Sequence, residues 1–356
     1  MRILIDIGHP GHVHLFKNFA KEMQKRGHEF LFTCRQKEFE IELLKAEGFD
    51  YVSFGKKYNT TLGKIWGLFK FDVLEFLQGL RFKPDIFMSH GSPYAAHASA
   101  ILRKPHISME DSGNWEQIKI YLPFTEVVLT PSVLYEDMGP KQIRYNGYHE
   151  LAYLHPNHFQ INSTTPHSFL NLQKDEKYVL LRFVSWNASH DKGQNGLSAD
   201  EKEKLVNYLD SKYTVFISSE NKLPEKFQKF QIKIAPENMH LVLSGAHLFV
   251  GEGATMASES GVLGTPSIYV NSLKRAYNED QEKYGLVFNF QDGNGVLDKI
   301  KELEKIPNLH QNFQKRLQKL LTDKIDVTSF MVWFVENFPE SQIELKNNPN
   351  YQLNFK

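Results

Sequence analysis

The chain of 356 residues holds a single cysteine, Cys34. One thiol builds neither an intrachain disulfide framework nor a cysteine-rich zinc site, and sparing use of cysteine fits a reducing compartment. Net charge is missing too, since 42 Lys and Arg face 42 Asp and Glu. A balanced chain lacks the basic excess behind non-specific nucleic-acid binding, so no nucleic-acid partner is expected. No run of about 18 apolar residues occurs, which argues against a membrane-spanning helix. The opening "MRILIDIG" carries Asp6 inside the stretch a secretory signal would keep apolar. A cytoplasmic protein is the expectation.

Phenylalanine is abundant at 27 residues, so aromatic packing is expected in the cores or on a contact surface. The length exceeds one ordinary core and predicts two domains. In the first half, strand and helix patterns alternate. "RILIDI" is a buried-strand run, and Leu15, Phe16, Phe19, Ala20 and Met23 fall on one helical face that stops at Gly27. "EFLFTC", "PDIFMSH", "PHISME" and "TEVVLTP" continue the strands. Residues 151–176 are polar and carry proline, as a linker would. The alternation then resumes through "KYVLLRFV", "YTVFISS", "HLFVGE" and "PSIYV". This predicts an α/β protein of two doubly wound parallel-sheet domains, over 1–155 and 170–325. A helix over 326–338 packs back, and a polar tail over 339–356 frays. Ligands are expected at the carboxyl ends of strands, in a cleft between the halves.

The stretch "LFVGEGATMASESGVLGTPSIYV", 248–270, carries the most chemistry. A strand runs into Gly251, Glu252 and Gly253, and a helix opens with Ala254, Thr255 and Met256. Glycines permit a sharp turn and close approach to a ligand. Free amides and the positive dipole end of the helix suit a phosphate or diphosphate. Glu259 follows Thr255 by one turn on the same face, where a carboxylate accepts two ribose hydroxyls. A tight turn beside a solvated Glu is the plain alternative.

The order Gly253, Ala254, Ser258, Glu259, Gly264, Pro266 resembles the nucleotide-sugar motif of GT-B glycosyltransferases, notably the MurG-like group. There the helix N-terminus holds the donor diphosphate and the Glu holds the ribose. Asp280 and Gln281 resemble the acidic-Gln element that touches the donor sugar. Through "DIGHPGHVHLFKNF", "GYHELAYL", "RFVSWNASHD" and "GEGATMASESGVLGTP" the chain is identified as a member of the domain-of-unknown-function family 354, predicted glycosyltransferases. The resemblance implies two Rossmann-like GT-B domains, a nucleotide diphosphate sugar as donor substrate, no cofactor and no metal.

The first turn, "GHPGHVH", holds Gly8, Gly11, His9, His12 and His14. In GT-B enzymes it faces the acceptor and donor phosphates. His12 or His14 is the candidate general base toward an acceptor hydroxyl, since imidazole titrates near neutral pH. His12 and His14, two apart, do not share a helical face, which argues against a metal pair; capping and packing of the turn is the alternative. Glu110 and Asp111 end a strand, where adjacent carboxylates supply a base or cap the following helix. Non-hydrolysing UDP-N-acetylglucosamine 2-epimerases resemble this region. Glu110 stands at their Glu, Ser92 replaces their Asp, and "RFVSWNASH" does not match their His-Arg-rich segment. Arg182 at a strand end suits a phosphate, Trp186 a base or sugar, and His190 and Asp191 one another. His149 and Glu150, in "NGYHE", are expected at an interdomain crossing.

Residues 56–83 combine Lys56, Lys57, Lys64, Lys70, Arg81 and Lys83 with several aromatics. They read either as a helix packed on its own sheet or as a peripheral contact with the inner membrane face, as MurG-like enzymes use to approach lipid acceptors. The expected function is a GT-B glycosyltransferase in cell-surface polysaccharide or glycoconjugate synthesis. It would use a histidine base with inversion, on an unknown acceptor, a lipid-linked one among the candidates. A nucleotide-sugar epimerase and a non-catalytic nucleotide-sugar-binding protein are the alternatives.

Overall fold

The structure, a computed structural model, describes residues 1–58, 60–160, 166–184, 196–219 and 222–356, with positions 61 and 64 described by backbone alone. The chain forms two compact units. One joins Met1–His158 to Lys324–Lys356, and the other is Phe159–Asp323.

The first unit alternates β1 (Arg2–Ile7), α1 (Pro10–Lys25), β2 (Glu29–Gln36), α2 (Glu40–Ala46), β3 (Tyr51–Lys56), α3 (Thr61–Phe82), β4 (Ile86–His90), α4 (Pro93–Leu102), β5 (His106–Met109), α5 (Trp115–Tyr121), β6 (Val127–Pro131), β7 (Gln142–Tyr145) and α6 (Leu151–Leu154). Its seven strands form one parallel sheet in the order β3-β2-β1-β4-β5-β6-β7. Ile3, Leu4, Ile5 and Ile7 are fully buried, as a central parallel strand covered on both faces requires. The strand order reverses between β1 and β4, where doubly wound sheets open a crevice.

Asp6 is also fully buried, and its neighbours explain how. Its Oδ1 lies 2.6 Å from Arg35 Nη1, and its Oδ2 accepts from Ser92 Oγ. The Thr33 hydroxyl sits 3.0 Å from Asp6 Oδ1 and 3.1 Å from Oε1 of the buried Glu75 on α3. Burial, with Asp6 adding, holds the Glu75 carboxyl well above its ordinary range and favours its neutral form. The Asp6–Arg35 pair beside a carboxyl favouring its neutral form keeps this cluster close to neutrality.

In the second unit come α7 (Pro166–Phe169), β8 (Tyr178–Phe183), α8 (Ala199–Asp210), β9 (Thr214–Ser219), α9 (Met239–Gly245), β10 (Leu248–Gly251), α10 (Ala254–Val262), β11 (Ser267–Val270), α11 (Ala276–Lys283), β12 (Val287–Phe290), α12 (Val296–Glu304) and α13 (Leu309–Asp323). The sheet is again parallel, ordered β12-β11-β10-β8-β9, with its reversal between β8 and β10.

The chain then re-enters the first unit through α14 (Val327–Glu336) and α15 (Glu340–Asn347). Glu336 takes Arg26 at 2.9 Å and His28 at 3.0 Å, and Thr328 Oγ1 donates to the Ala152 carbonyl. The tail after Pro339, expected to fray, is helical. Tyr351 stacks on Trp333 with ring centres 4.6 Å apart, and Gln352 Oε1 accepts from the Asn146 amide at 2.6 Å. A few aromatic and amide contacts anchor a segment whose average composition is polar. The stretch read as a linker begins with α6, whose four apolar residues are buried in the first unit. No helix among the described residues is long and apolar enough to cross a membrane.

Candidate functional site

The glycine turn of the second unit lies at its sheet reversal, where Gly251 pairs in register with Arg182 at the end of β8. Gly251 is required by packing, because a Cβ there would stand 2.8 Å from Arg182 Cβ and 3.0 Å from the Arg182 carbonyl oxygen. Gly253, the N-cap of α10, has an ordinary φ of −90°. Among the described residues, a Cβ at Gly253 would meet only Arg182 Cγ, at an unstrained 3.5 Å. Neither packing nor backbone strain calls for glycine at this second position; close approach by a ligand would.

Among the described residues, no side chain caps α10. Asn271 Nδ2 donates to the Glu252 carbonyl at 3.2 Å and Asn278 Nδ2 to the Ala254 carbonyl at 3.3 Å. The carbonyls at the turn therefore have partners, while the opening amides at Ala254, Thr255 and Met256 receive no side-chain cap from the described residues. Such amides and the helix dipole favour an anion. Arg182, steadied by Ser218 Oγ at 2.8 Å, adds a cation beside them.

Glu259 is buried one turn into α10, with Oε1 3.0 Å from Nε2 of His240 on α9. Sequence reading missed His240, Asn271, Asn278 and Ser218. They act through contacts between elements, and no local spacing announces them. Two expected ligand contacts are corrected. Glu252 is buried, and its carboxylate takes the Val184 amide at 2.9 Å, the Leu197 amide at 3.0 Å and Lys202 Nζ at 2.9 Å. It ties β8 and the start of α8 to the turn. Gln281 is fully buried and donates to Ser258 Oγ at 2.6 Å, bridging α11 to α10 instead of meeting a sugar. Asp280 is mostly buried beside it and pairs with Lys283 at 3.1 Å. Trp186, His190 and Asp191 lie outside the described residues.

The reversal of the first unit gathers a second cluster. His9 caps α1, its Nδ1 accepting the Gly11 amide at 3.1 Å. Gly8 makes room for its neighbours: a Cβ would lie 3.2 Å from Arg35 Nη2. Its amide donates to His12 Nδ1 at 3.2 Å. Burial, with His90 and His9 adding, holds His12 well below its ordinary pKa, so the ring is neutral. With Nδ1 accepting, the remaining proton sits on Nε2, which is thereby a potential donor. His12 is thus poised as a hydrogen-bond donor in this arrangement, not the base expected. His14 is buried and packs on Tyr153 of α6 with ring centres 5.4 Å apart, outside the cluster's ring contacts.

The His12 ring stacks on His90 at 4.5 Å. His90 Nε2 lies 2.9 Å from Asp111 Oδ1, and His149 Nδ1 lies 3.1 Å from Asp111 Oδ2. Burial opposes a charge on His90, but the hydrogen bond and charge of Asp111, with Glu110 adding, outweigh it and raise the ring to about 9. Burial likewise raises Asp111, yet His149 and His90 prevail and hold its carboxyl well below the usual range. Glu110, expected as a base, is corrected. Its Oε1 takes the Ser112 amide, the Ser112 hydroxyl and the Gly113 amide at 2.7, 2.6 and 3.2 Å. Its Oε2 takes Tyr121 Oη at 2.9 Å. That carboxylate holds a turn.

Two parallel doubly wound sheets give the GT-B fold, which glycosyltransferases and UDP-GlcNAc 2-epimerases also have. The chain belongs to the family described as "Protein of unknown function (DUF354)", whose model matches residues 1–338. It is 25% identical over 279 residues to the uncharacterised protein MJ0665 of Methanocaldococcus jannaschii, covering 75% of this chain and 80% of that one. Among solved structures, it resembles the UDP-GlcNAc 2-epimerase of Neisseria meningitidis bound to UDP-GlcNAc. That likeness has a TM-score of 0.67 at 13% identity, over 94% of this chain and 99% of that one. It also resembles the spinosyn rhamnosyltransferase SpnG complexed with spinosyn aglycone. The TM-score there is 0.59 at 15% identity, over 95% of this chain and all of that one.

Proposed function

We propose that this protein is a GT-B glycosyltransferase that takes a sugar from a nucleotide diphosphate sugar without a metal at the donor turn, and that its donor diphosphate sits on the opening turn of α10. The observation that carries this reading is the uncapped helix start behind Gly253, where glycine serves neither packing nor backbone strain. Arg182 supplies charge beside the diphosphate, and Glu259, oriented by His240, receives the ribose hydroxyls. Transfer is favoured over epimerisation because the epimerase-like positions offer no available acid. Ser92 Oγ donates to Asp6, and Glu110 is held by four donors.

The acceptor is carried on an anionic lipid surface, and α3 meets that surface. Among the described side chains of α3, only a narrow row is buried, at Gly67, Phe71, Glu75 and Gly79. Ile65, Trp66, Phe69, Val73, Leu77 and Leu80 are exposed, Trp66 by 62% and Phe69 by 64%. The segment's two acids face protein: Asp72 pairs with His97 at 3.0 Å and Glu75 is buried. Its exposed charges, among the described side chains, are Lys56, Lys57, Arg81 and Lys83. Aromatic residues between cations suit anionic headgroups.

A thermal-shift panel of UDP-, GDP-, CMP- and dTDP-sugars tests the donor site, because a ligand of the native state raises its apparent stability. One class should raise Tm, and Glu259→Ala should abolish the rise. Silence across the panel would overturn the reading. Sugar isomerisation without any acceptor would favour the epimerase. For α3, sedimentation with phosphatidylglycerol vesicles should be lost in Trp66→Glu/Phe69→Glu.

A further inference from the structure

We infer that His90, Asp111 and His149 form a binding site for a first-row divalent cation such as Zn²⁺, distinct from the donor turn of the second unit. The three side chains reach one place from three elements: the end of β4, the residues just after β5, and the turn that follows β7. His90 Nε2, a carboxylate oxygen of Asp111 and His149 Nδ1 all lie within 4.8 Å of one another. Both oxygens of Asp111 are engaged, each by a different imidazole, at 2.9 and 3.1 Å. Two imidazole nitrogens and one carboxylate are the borderline donor set that selects zinc and its first-row neighbours over magnesium or calcium. Small ring movements replace the two shared hydrogens with one ion, since metal–nitrogen bonds are about 2.0–2.1 Å.

The surroundings hold these groups in place. Gly91 turns the chain after His90 with φ +61°, and a Cβ there would stand 3.0 Å from Glu110 Oε2. Glu110 in turn fixes the loop after Asp111 through Ser112 and Gly113. The His149 ring stacks on the buried Tyr145 with ring centres 6.3 Å apart. Three protein ligands leave coordination positions open, and such positions take water or an oxygen of a small ligand.

The experiment titrates Zn²⁺, and separately Co²⁺, into full-length protein stripped with chelator, with no nucleotide sugar present. One equivalent should bind per chain, and bound Co²⁺ should give the visible absorption of a nitrogen–oxygen site. Asp111→Asn and His149→Gln should each weaken binding by about 100-fold. His158→Gln, which alters a separate His–Asp contact to Asp326 in the same unit, should leave it unchanged. Circular dichroism shows whether each variant folds, and His149→Gln decides the question if Asp111→Asn does not fold. Absence of saturable binding in the wild type overturns the inference, as does undiminished binding in folded variants. Either failure leaves the α10 reading standing, because that reading is tested by nucleotide sugars alone.

Discussion

Glu110 and Asp111 are adjacent in the chain, yet their carboxylates meet opposite surroundings. Glu110 is closed off by Ser112, Gly113 and Tyr121, whereas Asp111 is gripped by two imidazoles, His90 and His149. Both follow the end of β5 at Met109, where the chain still runs extended enough that successive side chains leave on different sides and enter different networks. Glu110→Gln turns an acceptor of four hydrogen bonds into a group with a donor end. Unfolding by urea should show a loss of about 1–3 kcal/mol, with nucleotide-sugar binding unchanged. Lost binding at full stability would return Glu110 to the chemistry.

The two glycines of the donor turn should separate stability from binding. Gly251→Ala places a methyl against the Arg182 backbone and should lower Tm by several degrees. Gly253→Ala fits the free protein, so Tm should hold while any nucleotide-sugar shift falls by at least about tenfold in affinity. Equal behaviour in the two variants would remove the distinction drawn between them.

Much of this was legible in the sequence. Runs such as "RILIDI" and "YVLLRF" mark buried strands, and glycine-punctuated helices between them fix a parallel sheet, as observed in both units. The helix after Gly253 was legible for the same reason, being a local pattern. What stayed hidden was which polar groups find one another. Asp111 meets His149 across 38 residues and Glu259 meets His240 across 19, and no local period encodes such pairs. The same limit made Glu252, Gln281 and Glu110 look like ligand groups. Their residue types suit that role, but their donors come from elsewhere in the fold. Composition misled at the tail, where Trp333 and Tyr351 outweigh many Asn and Gln.

Glu75 yields a prediction of opposite sign to most buried-charge variants. Its carboxyl is held protonated in the folded unit by burial and by Asp6, while in the unfolded chain it ionises above its ordinary value near 4.5. Above that pH the unfolded state has lost a proton that the folded state keeps, so stability falls as pH rises. Glu75→Gln removes this dependence. Urea midpoints should show the variant gaining on the wild type as pH climbs from 5 to 8, with a limiting slope of about 1.4 kcal/mol per pH unit. A constant difference over that range would mean that Glu75 is not the neutral partner of Asp6 and Arg35.

His106 gives the complementary acid-side test. It is fully enclosed between Ser89 Oγ and Thr125 Oγ1, each at 2.9 Å. Thr125 donates its own hydroxyl hydrogen to the Tyr121 carbonyl, so it accepts from His106 Nδ1–H, and Nε2 accepts from Ser89. The neutral ring satisfies both neighbours and a second proton would have no partner. Burial, with a smaller contribution from His97, lowers its pKa to about 3. Between the unfolded value of 6.5 and that folded value, the unfolded chain takes up a proton the folded chain refuses. Stability therefore declines as pH falls through this window, with a limiting slope of about 1.4 kcal/mol per pH unit. His106→Gln should be less stable than the wild type at pH 8, because it loses one of two well-placed hydrogen bonds, but its decline toward pH 4 should be shallower. Urea midpoints measured at half-unit steps from pH 8 to 4 decide it: converging curves support the buried neutral ring, and parallel curves exclude it.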